Sequence, residues 1–338
     1  MKNKIIIFSI DRLGDYLIRS NVINKISKKY KFKEIVCSEK NYKLIKTQGV
    51  FDKINLFNTN YKLINKLIYF LSFFLAKYDS VIVFDGKGIS NLILLVIRAK
   101  FKFTFIYRKK GVLNKIFFIT KKFFLKKFKI KFSILYSREY IDSGCKEHYP
   151  SKYKKLKKYY KNINNTTYYF NEKNITKHNH DLKNYILIHL DEKFADIQNI
   201  KKDLTNSILR LSKNTNKKII LTSFNNNYEY YKNLNIKIIN FKNINYNKEL
   251  NHKIIIIENI PINDFYYFIK NSYINISCHA GFFIHTSLLL GKKSVDILDK
   301  KDEKWLNSWT PITKNYKKIY KTNTSEIFNR ILKIINEK

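Results

Sequence analysis

Short apolar runs alternate with longer helical patterns along the first third of this chain, and this rhythm limits the possible folds more than any other feature. Such alternation predicts a parallel sheet that is covered by helices on both faces. The predicted strands are residues 4–10, 33–37, 53–57, 80–84 and 101–107. The predicted helices between them are residues 14–29, 40–48, 61–77 and 88–99.

The same rhythm restarts at Asn184 after a stretch in which it blurs. In that stretch the spacing predicts helices within 111–129 and 138–162, and then a polar, asparagine-rich linker over 162–181. The later predicted strands are residues 185–190, 217–222, 236–240, 253–257, 273–276 and 293–298. The later predicted helices are residues 197–213, 226–234, 262–271 and 324–336, the last with Thr324 as its cap.

We therefore predict an α/β protein with two Rossmann-like domains, one at residues 1–170 and the other at residues 171–338. Ligands of such sheets bind outside the carboxyl ends of the strands. If the two domains face each other, the ligand is expected in the cleft between them.

The net charge of +40 favours partners that carry negative charge. However, only seven of the 66 basic residues are arginine, the residue on which readers of nucleic-acid sequence depend for bidentate contacts. Lysine and the other abundant residues have A/T-rich codons, so genome composition explains much of the excess. The 45% hydrophobic content excludes a disordered chain. A basic nucleic-acid-binding protein without catalysis stays open as the alternative to an enzyme that binds no nucleic acid.

The three cysteines cannot form a complete set of disulfides, which is typical of a reducing cytosol. The first apolar run, residues 5–8, is too short for a signal peptide and is interpreted as a strand. The longest charge-free apolar stretches, residues 67–76 and 88–97, fall short of the roughly 20 residues that cross a bilayer. These features predict a cytoplasmic protein without a transmembrane helix.

The first predicted strand runs into Asp11-Arg12-Leu13-Gly14-Asp15. Gly14 permits a tight turn, and Asp15 then lies at or near the start of a helix. Asp15 is interpreted either as a helix cap or as a general base that takes a proton from an acceptor hydroxyl. Arg12 and Arg19 are expected either to contact a phosphate or to pair with Asp11 or Asp15.

A second segment, Ser277-Cys278-His279-Ala280-Gly281, ends a predicted strand and continues through His285 to Gly291. The pattern predicts a glycine turn and a short helix that starts near Phe282. A helix N-terminus presents free N–H groups and partial positive charge, so this segment is typical of a phosphate site. The alternative for His285 is a helix residue tucked against the neighbouring strand. The spacing matches no usual zinc pattern, so no metal is expected.

Together, these two segments resemble the family 9 glycosyltransferases of the lipopolysaccharide heptosyltransferase type. That family has the GT-B arrangement of two facing Rossmann-like domains. Residues 12–17 are similar to the family's Gly-Asp segment after the first strand, and residues 278–291 resemble its glycine- and histidine-containing segment near the C-terminus. Residues 260–265 and Trp309-Thr310-Pro311 also fit the family pattern.

The resemblance implies an inverting transfer of a sugar from a nucleotide-diphosphate donor to lipopolysaccharide or another surface glycan, with no metal and no other cofactor. It implies that the general base is Asp15. The residues implied on the acceptor side are Arg12, Gly14 and Arg19. The residues implied at the donor's diphosphate are Lys193, His279, Ala280, Gly281 and His285.

The family's aspartate before the glycine is absent from this segment, where Cys278-His279-Ala280 stand instead. That aspartate is associated with recognition of the heptose. The donor sugar therefore stays open between heptose and another hexose-type sugar. An inactive GT-B homologue is a further alternative.

Phenylalanines and lysines interleave over residues 100–132. One interpretation is that the phenylalanines face the core while the lysines are solvated. The other is that the segment contacts an anionic bilayer surface. Such contact would suit an enzyme whose acceptor is anchored in the inner membrane, and it would place the protein peripherally on the cytoplasmic face.

Overall fold

A computed structural model describes residues 2–86, 88–160, 182–190, 192–223, 236–243, 252–279, 281–310 and 312–337. The chain divides into two compact units. The first unit is Met1–Asn171 together with Lys304–Thr310, and the second is Glu172–Glu303 together with Pro311–Lys338. The sequence does not predict that residues 304–310 belong to the first unit.

Strands and helices alternate along the first unit, as predicted. The elements are β1 Lys2–Ser9, α1 Leu13–Ser27, β2 Tyr30–Ser38, α2 Glu39–Gln48, β3 Lys53–Phe57, α3 Leu63–Leu71, β4 Lys77–Val83, α4 Gly88–Val96, β5 Arg98–Arg108, α5 Val112–Lys127, β6 Lys131–Tyr136, α6 Arg138–Asp142 and α7 Tyr149–Tyr153. A 3-10 helix at Lys154–Tyr159 follows.

The six strands of the first unit form one parallel sheet in the order β3-β2-β1-β4-β5-β6. Residues 5–8 of β1 are fully buried, as expected for a central strand of a parallel sheet that is covered on both faces. Ile7 of β1 lies opposite Ile35 of β2 on one side and Ile82 of β4 on the other. The order reverses at β1, because β2 and β3 are added on one side and β4 to β6 on the other. A crevice for ligands forms outside the carboxyl ends of strands at such a reversal.

The second unit repeats this plan. Its described elements are β7 Ile186–His189, α8 Ile200–Lys213, β8 Ile219–Ser223, β9 Lys237–Asn240, β10 Ile254–Glu258, α9 Ile262–Asn271, β11 Ile274–Ser277, α10 Gly281–Leu289, β12 Lys293–Leu298, β13 Tyr316–Tyr320 and α12 Thr324–Asn336. Helix α11, Glu303–Trp309, lies between β12 and β13 in the sequence but belongs almost entirely to the first unit.

The seven strands of the second unit form a parallel sheet in the order β13-β12-β11-β7-β8-β10-β9. The reversal here lies between β7 and β11, the two strands that end in His189 and Ser277. The alternation read from the sequence therefore correctly predicts two open parallel α/β units.

Most of the predicted elements are confirmed, and β3, α9, β12 and α12 have the predicted ends. The helix predicted within 138–162 is present as two short helices, α6 and α7, followed by the 3-10 helix. Gly144 has a φ of 101°, and this backbone interrupts the helix between α6 and α7. The helix predicted at 226–234 and the linker predicted at 162–181 lie outside the described residues.

Thr324 is not the cap of the last helix. Asn323 precedes the helix with extended backbone, and its side-chain oxygen accepts a hydrogen bond of 2.9 Å from the backbone N–H of Glu326. The Thr324 hydroxyl instead donates to the carbonyl of Gln198, at 2.9 Å. Within the described part of the chain, no helix has both the length and the apolar character that a membrane span requires.

Candidate functional site

In the first unit, the predicted residues lie at the carboxyl end of β1, beside the strand reversal. Arg12 caps α1 with extended backbone, and its side chain is exposed. Gly14 and Asp15 fall inside the first turn of the helix. Gly14 is not among the described glycines with positive φ, so its predicted tight turn is wrong. Asp15 is not the N-cap either, because Arg12 occupies that position.

Asp15 is partly enclosed by protein. Burial raises the pKa of its carboxyl group, and Asp11 adds to this, whereas Arg19, Arg12 and a hydrogen bond from the Arg12 backbone lower it; the net shift is upward. A carboxylate whose pKa is raised is a stronger base than one that is fully solvated. Asp15 therefore has the character expected of a general base at a strand end.

Arg19 is buried beneath Asp15 and does not reach the surface. Its Nη2 pairs with the Asp11 carboxylate, and its Nε donates to the Asp15 carbonyl oxygen at 2.9 Å. Its guanidinium carbon also lies 5.9 Å from the ring centre of Phe84 and 5.6 Å from that of Tyr153. Of the two roles predicted for Arg19, the structure shows the pairing with Asp11. Arg19 thus positions the strand end and does not suit direct contact with an acceptor.

The carboxyl end of β4 completes this cluster with residues that the sequence does not single out for function. Asp85 is buried there, and Gly86 has a φ of 66°. Lys121 of α5 faces the same region: burial lowers its pKa to about 8, against the opposing effect of Asp85. Asp85 and Gly86 lie in the βα turn between β4 and α4.

In the second unit, His279 follows β11 and occupies a left-handed backbone conformation, with a φ of 48°. The buried carboxylate of Asp296 on β12 holds it in place. Asp296 accepts from the His279 backbone N–H at 3.0 Å, contacts the ring Nδ1 at 2.9 Å and accepts from the Tyr316 hydroxyl at 2.7 Å. Because the Asp296 carboxylate accepts a hydrogen bond from Nδ1–H, the ring's other nitrogen, Nε2, is left for a ligand.

Lys193 lies in the 3-10 turn after β7, and this turn contacts the segment after β11. The Lys193 ammonium donates to the His279 carbonyl oxygen at 3.3 Å. The Cys278 thiol contacts the Lys193 carbonyl oxygen at 3.2 Å. The structure therefore joins Lys193 to His279, as the predicted donor site requires, although they lie 86 positions apart.

Gly281 begins α10, and His285 lies one turn further along this helix. A Cβ added at Gly281 would lie 3.9 Å from Cδ2 and Nε2 of the His285 ring, so the two residues are neighbours. Burial, with a smaller contribution from His279, lowers the pKa of His285 to about 3. His285 is therefore neutral at pH 7 and does not supply positive charge, which agrees with the alternative of a tucked-in helix residue. Ala280 lies outside the described residues.

The sequence predicts a glycine at the turn after β11, but the residue with the turn conformation is His279. Gly281 is helical, and His279 has the positive φ. Local sequence patterns do not single out Asp296 and Tyr316, which fix His279. A signal for Asp296 does exist, because a carboxylate inside an otherwise apolar buried strand requires a partner.

Two hollows of about 590 Å³ lie away from these residues. One lies by Asn184 and Lys218, at the amino ends of β7 and β8, and the other lies over Glu34 and Asn55 of β2 and β3. Ligands of parallel sheets bind at the carboxyl ends. Neither hollow is therefore assigned to the donor.

The sequence matches no protein-family model and no curated protein. Among solved structures, E. coli heptosyltransferase WaaC with ADP-2-deoxy-2-fluoro heptose is similar at 11% identity, with a TM-score of 0.66 and 98% of each chain covered. The glycosyl transferase family 9 protein from Veillonella parvula is similar at 12% identity, with a TM-score of 0.64, 100% of this chain and 92% of that chain. The chain has the GT-B fold.

The predicted resemblance to the family 9 heptosyltransferases is thus confirmed for the fold, over nearly the whole chain. The UDP-GlcNAc 2-epimerase from Methanocaldococcus jannaschii also has a similar structure, at 15% identity and a TM-score of 0.55, with 100% of this chain and 94% of that chain covered. A fold alone does not determine an activity. The function therefore depends on the residues at the two strand reversals.

Proposed function

We propose that this protein is a glycosyltransferase that moves a sugar from a nucleotide-diphosphate donor to a hydroxyl of lipopolysaccharide or another surface glycan. The observation that carries this proposal is Asp15, a partly buried carboxylate of raised pKa at the carboxyl end of β1. A fold similar to that of a heptosyltransferase solved with an ADP-heptose analogue supports it. The donor sugar is heptose or another hexose-type sugar.

Asp15 is the general base of the proposed reaction. It takes the proton from the acceptor hydroxyl as that oxygen attacks the anomeric carbon of the donor. The bond between the anomeric carbon and the diphosphate oxygen breaks, and the nucleoside diphosphate leaves with the electron pair. Attack from the side opposite the leaving group inverts the anomeric configuration. Arg19 keeps Asp15 in position through its backbone, and the exposed Arg12 is placed to contact anionic groups of the acceptor.

The second unit binds the donor's diphosphate in this proposal. Lys193 supplies a positive charge next to His279, and the first N–H groups of α10, beginning at Gly281, point partial positive charge at an anion. The Nε2 of His279 hydrogen-bonds a phosphate or sugar oxygen. These groups neutralise the leaving diphosphate, so we propose that the reaction needs no metal ion. His285 contributes by packing behind Gly281 and not by charge.

The test is Asp15→Asn, assayed with a panel of nucleotide sugars that includes ADP-heptose and with lipopolysaccharide-core acceptors. The loss of the base should lower turnover by about 10²- to 10⁴-fold and leave donor affinity nearly unchanged. Asp52→Asn, which alters a more exposed carboxylate paired with Lys33, is the matched control and should behave as wild type. EDTA should not slow the wild-type enzyme.

Three results would contradict the proposal. Full turnover by Asp15→Asn would remove its general base. Conversion of a UDP-sugar into an isomer without any acceptor would indicate an epimerase, the activity named for the structural neighbour from M. jannaschii. The absence of turnover in the wild-type protein, despite donor binding, would indicate an inactive homologue.

A further inference from the structure

Helices α3, α4 and α5 cover the same face of the first sheet. Phe70 of α3, Leu94 of α4 and Leu125 of α5 share one buried cluster with Phe8 of β1 and Val83 of β4. The opposite sides of these helices therefore form one outer layer of the first unit. Such a layer is normally polar, because its side chains meet water.

The outward side of α5 is apolar. Its inner side is marked by Phe118 and Leu125, which pack on the sheet. Six large apolar residues on the other side are between 55% and 77% exposed: Val112, Leu113, Ile116, Phe117, Ile119 and Phe123. Among these, residues 112, 116, 119 and 123 follow the spacing of a single helical stripe. The phenylalanines of this segment therefore divide: Phe103 and Phe105 of β5 are buried, whereas Phe117 and Phe123 are not.

The outward side of helix α3 is apolar as well. It buries Phe70 and exposes apolar residues along the rest of its length. These residues are between 37% and 67% exposed: Leu63, Ile64, Leu67, Ile68 and Leu71. Leu92 of α4 is also exposed. Monomeric proteins rarely expose apolar patches this large without a partner.

The charge around this surface has a single sign. The sequence contains no aspartate or glutamate between Asp52 and Asp79, and none between Asp85 and Glu139. The lysines of α5 include Lys115, Lys126 and Lys127, which are exposed. The layer therefore combines exposed apolar side chains with positive charge that no acidic residue of these segments offsets.

We infer that this outer layer of α3, α4 and α5 docks on a lipid bilayer that contains anionic lipids, with the helices lying in the plane of the interface. The apolar side chains enter the boundary between headgroups and acyl chains, and the lysines attract the anionic headgroups. The inference rests on exposure and charge and does not depend on the proposed function. If that function holds, the surface brings the enzyme to a membrane-anchored acceptor.

A second copy of this chain fits the surface less well. Two such layers placed face to face would oppose lysine to lysine, with no acidic residue from these segments to compensate. A bilayer offers both an apolar interior and negative charge. It also requires no shape complementarity.

The test is co-sedimentation of the full-length protein with vesicles of phosphatidylcholine alone and of phosphatidylcholine mixed with phosphatidylglycerol. Wild-type protein should bind the mixed vesicles at least tenfold more strongly than the neutral ones, and added salt should weaken this binding. The double variant Leu113→Ser, Phe117→Ser should reduce binding more than tenfold. Lys126→Glu with Lys127→Glu should reduce binding to the mixed vesicles only.

Matched controls come from the second unit. Leu209→Ser with Ile312→Ser removes exposed apolar side chains elsewhere, and Lys300→Glu with Lys301→Glu reverses exposed charges elsewhere. Both control pairs should bind vesicles as wild type does, and circular dichroism should show that every variant is folded. Equal binding by wild type and the Leu113/Phe117 variant would overturn the inference. So would a dimer in solution that this variant dissociates, because the surface would then serve a second copy.

Discussion

At the scale of single residues, Asp296 is the residue of the second unit that holds His279 in the proposed donor site. Its carboxylate receives three hydrogen bonds, two of them from His279. The amide of Asp296→Asn keeps the shape of the carboxylate. However, only its oxygen can accept a hydrogen bond, whereas both carboxylate oxygens of Asp296 do so. Donor affinity should fall about tenfold, which corresponds to one lost contact of about 1.4 kcal/mol, and calorimetric titration with the nucleotide sugar measures it.

Tyr316→Phe is the control for this prediction. It removes one hydrogen bond to Asp296 and leaves both contacts with His279. The variant should lose about 1–2 kcal/mol of unfolding free energy and keep its donor affinity. If Asp296→Asn and Tyr316→Phe weakened donor binding equally, the role assigned to His279 would be wrong.

Two buried histidines make the stability of the second unit depend on pH. Burial lowers the pKa of His189 to about 4 and that of His285 to about 3. The unfolded chain binds these protons near its ordinary pKa of about 6.5, so protonation below that pH favours unfolding. The stabilisation is complete above about pH 6.5 and is lost as the pH falls towards the folded-state values, by at most about 1.4 kcal/mol per pH unit for each histidine.

Urea unfolding at a series of pH values between neutral and acidic measures this effect. The double variant His189→Gln, His285→Gln should show a smaller loss of stability on acidification than wild type. His148→Gln is the control, since this histidine is less buried and belongs to the first unit. An unchanged pH profile in the double variant would contradict the prediction.

The predicted site residues and the missed ones differ in a physical way. Asp15 and His279 follow strands in the sequence, and a strand end is visible from local pattern alone. Asp296 and Tyr316 reach His279 from neighbouring strands, so their role depends on the pairing of β11, β12 and β13. That pairing is a long-range property that local periodicity does not contain.

At the scale of elements, the turn after β4 depends on a glycine that has no alternative. Gly86 has a φ of 66°, and a Cβ there would lie 2.8 Å from the Tyr107 ring and 3.0 Å from the Phe105 carbonyl oxygen. Gly291, at the end of α10, has a similar φ of 69° but no atom within 4 Å of the added Cβ. Gly291→Ala therefore isolates the backbone cost of about 1–2 kcal/mol. Gly86→Ala should cost about 1–3 kcal/mol more because of overlap.

Denaturant unfolding of both variants measures the difference. The comparison is sensitive because the two glycines have almost the same backbone conformation. Equal destabilisation by Gly86→Ala and Gly291→Ala would show that the neighbours of Gly86 yield freely. The predicted overlap of a Cβ at Gly86 with Tyr107 and Phe105 would then be wrong.

The central strands of the first sheet are visible in the sequence because they bury both faces. Residues 5–8 and 80–84 form unbroken apolar runs, and they become the central strands β1 and β4. The missed strands β6 and β13 lie at sheet edges, and polar residues interrupt their apolar ones: Lys131 and Ser133 in β6, and Lys317 and Lys318 in β13. An edge strand meets water along one side, so its sequence carries a weaker apolar signal.

At the scale of the whole molecule, the fold persists although the identity with similar structures is only 11–12%. The cores of this chain are filled largely by isoleucine and phenylalanine. Cores accept extensive exchange among apolar residues when volume and pattern are kept. A biased composition can therefore replace most core positions without changing the GT-B fold. The recognisable residues then remain only at the strand ends, which explains why two short segments carried the resemblance.

The short helix α11 belongs almost entirely to the first unit, although it lies between two strands of the second unit in the sequence. Both tryptophans of the chain, Trp305 and Trp309, lie in α11 and pack on Tyr149. The Trp309 ring stacks on Tyr149 with 3.9 Å between ring centres, and Trp305 lies edge-on at 5.8 Å. Tryptophan fluorescence should therefore report on unfolding of the first unit, although residues 304–310 are far along the sequence.

Two core variants separate the units in this experiment. Ile82→Ala removes a fully buried side chain from β4 of the first unit, and Ile256→Ala does the same in β10 of the second. Each should cost about 2–5 kcal/mol in its own unit. Each unit has its own core. Ile82→Ala should therefore lower the midpoint of the fluorescence transition by roughly 5–15 °C. Ile256→Ala should instead lower the midpoint of the circular dichroism transition and change the fluorescence midpoint little. Equal shifts of the fluorescence midpoint in the two variants would mean that both units unfold as one cooperative body, and α11 would then report on the whole chain.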